Sequence, residues 1–346
     1  MNRTSFLLSK AQLILLFLLV FLISCKHDEP TISTNNWQTI YQNKDLYLYS
    51  IKFLDKNNGY VLADSSAIHS TPNWRFILTT TDGGNHWVVN PYQFSAYDEV
   101  LVDIFPMGNG NILGIGYHVY KSSDNGKTWT DVSPQFVGSM NNDLHIIDSV
   151  TWLVASGNHI FRTNNAGQTW QTVFQTDFMG AFHHFSFPSP TVGYADIGVV
   201  DPDHGASVGL IVKTTDAGQT WTVLHPEPWK SNKESIPDMT YLQFVTDQIG
   251  YFLTIWDYKL YKTVDGGNHW VLVHNNTYSI GLAYFINENF GYYTDGVAVN
   301  VTNDGGKNWK VDYYNDAKDS DILTWTFLET GQGYALTRDQ RIIKRN

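Results

Sequence analysis

The sequence predicts an all-β fold, a seven-bladed β-propeller of four-stranded antiparallel blades closed by an N-terminal strand. Three observations predict it. One turn motif recurs six times, an apolar strand running into Gly-Tyr recurs between the copies, and the count leaves one blade to be completed from the other end of the chain. The composition agrees. Aromatic residues make up 15% of the 346 positions and charged residues only 16%, where about 25% charged is usual. That excludes a disordered chain and argues against a helical bundle. A net charge of −11 argues against a nucleic-acid partner, because phosphate binding needs a basic surface.

The N-terminus reads as a targeting segment. Arg3 and Lys10 precede an apolar run from Ala11 to Ile23, too short for a span of about 20 residues. It ends in Leu22-Ile23-Ser24-Cys25, which resembles the bacterial lipoprotein signal. That resemblance implies removal of residues 1–24 and lipidation of Cys25, the one cysteine of the chain. Cleavage leaves 20 basic against 33 acidic residues, a net charge of −13. Residues 25–35, rich in Thr, Ser and Asn, read as a flexible tether, and 36–346 as the propeller. The expected location is the bacterial cell envelope, lipid-anchored to the outer membrane on its periplasmic or surface face.

The turn motif is [ST]-x-[DN]-x-G-x-x-W. Its copies run from Thr80 to Trp87, Ser122 to Trp129, Thr163 to Trp170, Thr214 to Trp221, Thr263 to Trp270 and Thr302 to Trp309. Successive Trp residues are 42, 41, 51, 49 and 39 positions apart, the period of a propeller blade. Asp82, Asp124, Asn165, Asp216, Asp265 and Asp304 hold the acidic position. Their side chains are suited to accept backbone N–H groups ahead of them and so close an Asx-type turn. The Gly admits φ > 0, and the Trp buries a large apolar surface. Alternating flanks such as Val208 to Thr214 make each copy a hairpin turn.

Between the copies lies the second repeat, as in Phe185-Ser-Phe187…Gly193-Tyr194 and Leu242-Gln-Phe244…Gly250-Tyr251. Seven such hairpins face six turns. The seventh is followed by Gln340 to Arg345, a third strand, and the fourth is expected from Trp37 to Tyr41. Trp37 then replaces the Trp that follows every other turn. Closure hides the sheet edges, and the span allots about 44 residues per blade.

These motifs resemble the Asp-box, or BNR, repeat of sialidases, some glycoside hydrolases and sortilin-type receptors. With the Gly-Tyr hairpins they are most similar to the photosystem II stability/assembly factor-like propellers. That family binds a membrane-protein partner, but the basic patch expected for such a partner is not evident in this acidic chain, so the photosynthetic role itself is not expected to carry over.

A binding site is expected on the face opposite the boxes. The long segments, about 64–75, 198–208 and His225 to Thr240, all fall on that face by strand order. The candidate ligand residues are Tyr92, Tyr97, Asp98, Phe178, His183, His184, Asp201, His204, Trp229, Tyr278 and Tyr313. Aromatic side chains with carboxylates suit a protein or a glycan ligand. His183 and His184 with Asp201, Asp203 and His204 match no zinc or calcium spacing. The Gly-Gly pairs of three boxes lack the Lys-Ser/Thr of a phosphate loop, so neither metal nor cofactor is expected. An arginine triad of the sialidase kind is missing among Arg75, Arg162, Arg338, Arg341 and Arg345. The reading is a monomeric, non-enzymatic binding or scaffold lipoprotein; the alternative is a carbohydrate-active hydrolase using two opposed carboxylates.

Overall fold

The computed structural model describes residues 36–65, 74–92, 94, 100–135, 143–177, 180–200, 207–224, 236–255, 257–275, 282–295, 298–314 and 321–345. These form seven antiparallel sheets. Blade 1 comprises Leu46–Phe53, Gly59–Ser65, Arg75–Thr80 and Val88–Tyr92. The innermost strands of blades 2 to 7 are Leu101–Gly108, Asp143–Ile146, Gly180–Ser186, Met239–Phe244, Leu282–Phe285 and Ile322–Phe327. Blade 7 is completed by Trp37–Gln42, which pairs with Arg341–Arg345 and sets Trp37 opposite Arg345. The expected ring closure by the N-terminal strand is therefore what the chain does.

Every box is the turn between the third and fourth strands of its blade. In all six, the opening Thr or Ser hydroxyl donates to the Asp or Asn Oδ1 at 2.8–2.9 Å. The same hydroxyl accepts the N–H of the box Gly at 2.9–3.0 Å. Oδ1 also accepts the N–H four residues ahead, at 2.9 Å throughout. This places two successive residues at positive φ, the second always the box Gly, as with Ala217 (59°) and Gly218 (74°). In the first box, hydrogen bonds from the imidazole and N–H of His86 hold the Asp82 carboxyl down to about 2.

The Gly-Tyr repeat joins the blades. Gly193, Gly250, Gly291 and Gly333 each lie under a Phe ring of their own blade, so close that a Cβ would fall 2.3–2.7 Å from it. Without a Cβ, the ring lies flat across the strand and meets the Tyr of the preceding blade. Tyr194 stacks on Phe244 at 3.4 Å, Tyr251 on Phe285 at 3.5 Å, Tyr292 on Phe327 at 4.9 Å and Tyr334 on Phe53 at 3.5 Å. The Tyr hydroxyls reach on to the next blade, Tyr194 to the Asp247 carbonyl (2.8 Å) and Tyr251 to that of Glu288 (2.7 Å). Lysines just before the boxes cover the same rings, Lys213 over Tyr194 and Lys262 over Tyr251.

Blade 4 departs from the expected loops in two ways. Its second and third strands, Gly193–Val200 and Ser207–Thr214, stay paired out to Val200 and Ser207. Within the segment 198–208, residues 198–200 and 207–208 are thus ladder, and 201–206 lie outside the described residues. The outer strand is also interrupted. Leu224 donates to the Ile211 carbonyl, and the ladder resumes with Ile236–Pro237 against Gly209 and Val208. Pro237 fits there because an outer edge needs no N–H from it. Segment 225–235, which holds Trp229, falls between these two stretches and lies outside the described residues.

Candidate functional site

The innermost strands of successive blades pack on one another and line the axis of the ring. Five of them carry a register shift near their start: at Leu48/Ser50, Leu101/Asp103, Phe182/His184, Met239/Tyr241 and Ile322/Thr324. A bulge re-aims side chains that would otherwise alternate across the strand. In blade 4 it turns two consecutive residues to one partner. His184 sits opposite Asp196 in register and its Nδ1 lies 3.1 Å from Oδ1; His183 Nδ1 lies 3.2 Å from Oδ2. Asp196 is fully buried.

Neighbouring blades add further carboxylates. Asp143, from blade 3, accepts the Phe185 N–H at 2.6 Å, which ties blade 3 to blade 4, and its charge acts on His184. Asp238, just ahead of the first strand of blade 5, acts on His183, and both crowd the space beside Gly198. Lys52 of blade 1 pairs with Asp103 of blade 2 at 2.8 Å and also acts on Asp143. Ser50 Oγ donates to Asp103 at 2.5 Å. The wall formed by blades 5 to 7 is of another kind. Tyr241 donates to Gln243, whose amide bonds both the carbonyl (2.9 Å) and the N–H (2.7 Å) of Phe285, and Tyr284 and Trp325 pack on Phe327. Charged groups thus come from blades 1 to 5, ending at Asp238, and amide, phenol and indole groups from blades 5 to 7.

The sequence-predicted residues are placed as follows. His183 and His184 come together on Asp196. Tyr92 is 2% exposed and packs on Phe94 and Trp129, so it serves the core of blade 1 rather than a surface. Tyr313 packs on Trp37, at the closure between blades 6 and 7 and away from the histidines' strand. Tyr97, Asp98, Phe178, Asp201, His204, Trp229, Tyr278 and Cys25 lie outside the described residues. Sequence reasoning missed Lys52, Asp103, Asp143, Asp196 and Asp238. A signal existed for Asp196, a lone acid within the strand sequence Gly-Tyr-Ala-Asp-Ile-Gly-Val-Val.

A cleft of about 430 Å³ beside blades 2 and 3 is lined by His118, Asp131, Ser133, Pro134 and Gln135. Its Ser, His and Asp do not form a proton relay. Ser133 Oγ donates to Asp131 (2.5 Å) and accepts the Val119 N–H (2.9 Å). One atom, His118 Nδ1, faces both Ser133 and Asp131 at 3.3 Å, whereas a relay needs both ring nitrogens. Among the described residues, no three His, Cys, Asp or Glu side chains come together to hold a metal ion.

Fold and site together define an Asp-box propeller with a polarised axial wall. The chain resembles the photosystem II assembly factors. The profile of the family described as "Photosynthesis system II assembly factor YCF48" matches residues 29–189. The chain is 28% identical over 190 residues to the photosystem II assembly lipoprotein Ycf48 of Synechococcus sp. (strain CC9902). That match covers 52% of this chain and about half, 53%, of the relative. Among solved structures, YCF48 bound to D1 peptide superposes with a TM-score of 0.67 at 17% identity, covering 91% of this chain and 98% of that one. The GH74 xyloglucanase of Xanthomonas campestris superposes at 0.57 with 12% identity, covering 87% of this chain and 59% of the enzyme. At these identities the solved structures share the fold.

Proposed function

We propose that the chain is a membrane-anchored, non-enzymatic propeller that holds a segment of a protein partner at the face opposite the boxes. The observation that carries this reading is the likeness to YCF48 bound to D1 peptide, which extends over nearly the whole ring and is joined by the sequence match to an assembly lipoprotein. The same ring offers an inner wall charged on one side and aromatic on the other, suited to an extended peptide with mixed side chains. Residues 1–24 serve as signal peptide, Cys25 as the lipidated residue on the outer membrane, and 25–35 as the tether. The propeller works as a monomer.

The test is affinity capture from solubilised native membranes, with binding to synthetic peptides of the captured protein measured next and a glycan array run alongside. We expect a membrane-protein partner one of whose peptides binds the purified propeller directly. Trp229→Ala then weakens that peptide by about tenfold or more, as for an aromatic hot spot, with little change in melting temperature. A saccharide that is bound and turned over, with no peptide binding, overturns the reading in favour of a hydrolase.

A further inference from the structure

Two imidazoles share one buried carboxylate in the wall of the ring, and a further carboxylate stands beyond each of them. The order is Asp143, His184, Asp196, His183, Asp238, drawn from blades 3, 4 and 5. We propose that this row is a proton-operated clasp: with both imidazoles charged it holds the innermost strands of the three blades together, and with both neutral it lets them part.

The charge balance makes the row sensitive to two protons. Three carboxylates with two imidazolium groups sum to −1; with neutral imidazoles they sum to −3. Asp196 has no access to water, and like charges in a poorly hydrated setting repel strongly. The hydrogen bonds alter as well. Each Nδ1 faces Asp196, so a neutral ring retains its bond only as the Nδ1–H tautomer, whereas the imidazolium keeps it in any case.

Other titratable groups pack around the pair, and among them burial raises the Asp143 carboxyl against the opposing charge of His184. From the first strand of blade 3 come Asp143 and His145. His145 lies flat on Phe187 at 3.9 Å, and burial pushes it down to about 4, so it stays neutral. The second strand of blade 3, Trp152–Ser156, brings no titratable side chain. The second strand of blade 4 brings Asp196. Blade 5 brings Asp238 and Tyr241, whose phenol burial holds far above its usual range. Lys52 acts on Asp143 from blade 1 and stays charged.

Both histidines are shifted toward the charged form. For His183 the Asp196 hydrogen bond outweighs burial. Burial opposes His184 most, and Asp196 and Asp143 together overcome it. A histidine raised in the folded state stabilises fully below its unfolded value, about 6.5, and that contribution is lost as pH rises through the folded value. The clasp is therefore closed in mild acid and released on the alkaline side of 6.5.

The test uses the full chain without any partner, so its outcome is independent of the protein-binding reading. The ring resonances of His183 and His184, assigned with His183→Gln and His184→Gln, are followed by NMR from pH 5 to 9. Thermal melting and amide exchange of 180–200 and 239–244, corrected for intrinsic rates, are measured over the same range. We expect both midpoints above 6.5, a melting temperature that falls from pH 6 to 8.5, and faster exchange of these strands at the upper end. In the double His→Gln variant the pH dependence should flatten, and Asp196→Asn should lower both midpoints. Midpoints at or below 6.5, or an unchanged melting profile in the double variant, overturn the clasp.

Discussion

Asp312 accepts a hydrogen bond from Trp37 Nε1 at 3.0 Å, across 275 residues of sequence. The same Oδ2 takes Arg345 Nε at 3.2 Å, and Arg345 is the register partner of Trp37. One carboxylate of blade 6 thus holds both the first residue of the closing strand and the end of the strand it closes against. Trp37 completes the junction by standing edge-on to Phe327 at 6.1 Å.

Removing that carboxylate should weaken the closure more than an ordinary surface change. Asp312 and Arg345 are both buried, and stripping one partner from a buried pair costs about 3–5 kcal/mol because the other charge stays unpaired. Asp312→Ala is expected to lose that much in urea unfolding. Asp312→Asn keeps an acceptor for Trp37 and should lose less. A variant that unfolds at the parent midpoint would show that the closing strand is held by its ladder alone.

The boxes should prove structural. Asp216 Oδ1 accepts Thr214 Oγ1 and the N–H groups of Gln219 and Thr220, and Oδ2 accepts Thr220 Oγ1. These are half-exposed bonds, so Asp216→Ala should cost about 1–2 kcal/mol of stability. Asp216→Asn should be milder, because in the third box Asn165 Oδ1 still accepts the Thr163 hydroxyl and the Thr169 N–H. Peptide affinity, once a ligand is in hand, should stay within twofold. Normal stability with lost binding would assign the box to the ligand instead.

Ala217 occupies a left-handed position, at φ 59°, that Gly266 and Gly305 fill in other boxes at 71° and 74°. The left-handed conformation costs a residue with a Cβ about 1–2 kcal/mol, while Gly gives back about 0.4–1 kcal/mol in the unfolded chain. Ala217→Gly is therefore expected to stabilise by up to about 1 kcal/mol, and Gly266→Ala to destabilise by a similar amount. Paired thermal melts check both signs, and a drop with Ala217→Gly would contradict the turn geometry.

Much of the frame was legible residue by residue. The box turn is built from bonds within eight positions, so its Asp, Gly and Trp could be assigned roles before any tertiary contact was known. The Gly-Tyr repeat was visible too, but its purpose was not, because Tyr194 and Phe244 meet only when two blades stand side by side. The site was half legible. His183 and His184 were singled out, yet Asp196, Asp143 and Asp238 were passed over, since each arrives from a different strand and two come from other blades. Tyr92 looked like a surface aromatic and is core, because its position at the end of an outer strand turns it under Phe94. The outer strand of blade 4 ends at Val223 and its ladder resumes at Ile236, with Trp229, between them, outside the described residues. A strand that breaks and resumes against the same neighbour leaves no mark in the pattern.

What the sequence by itself determined, then, is the number of blades, the turns that end them and the strand that closes them. These follow from local hydrogen bonding and from a period that only a ring satisfies with one strand left over. The tertiary structure alone decided which side chains share the axis. Bringing Lys52, Asp103 and Asp143 to one wall with Asp196 requires the first strands of blades 1 to 4 to pack inward together, the second strand of blade 4 to pair behind its first, and a bulge to turn two adjacent histidines the same way. Neither the inward packing nor the bulge is encoded in any single stretch of chain, because both arise from strands that meet only once the ring has closed.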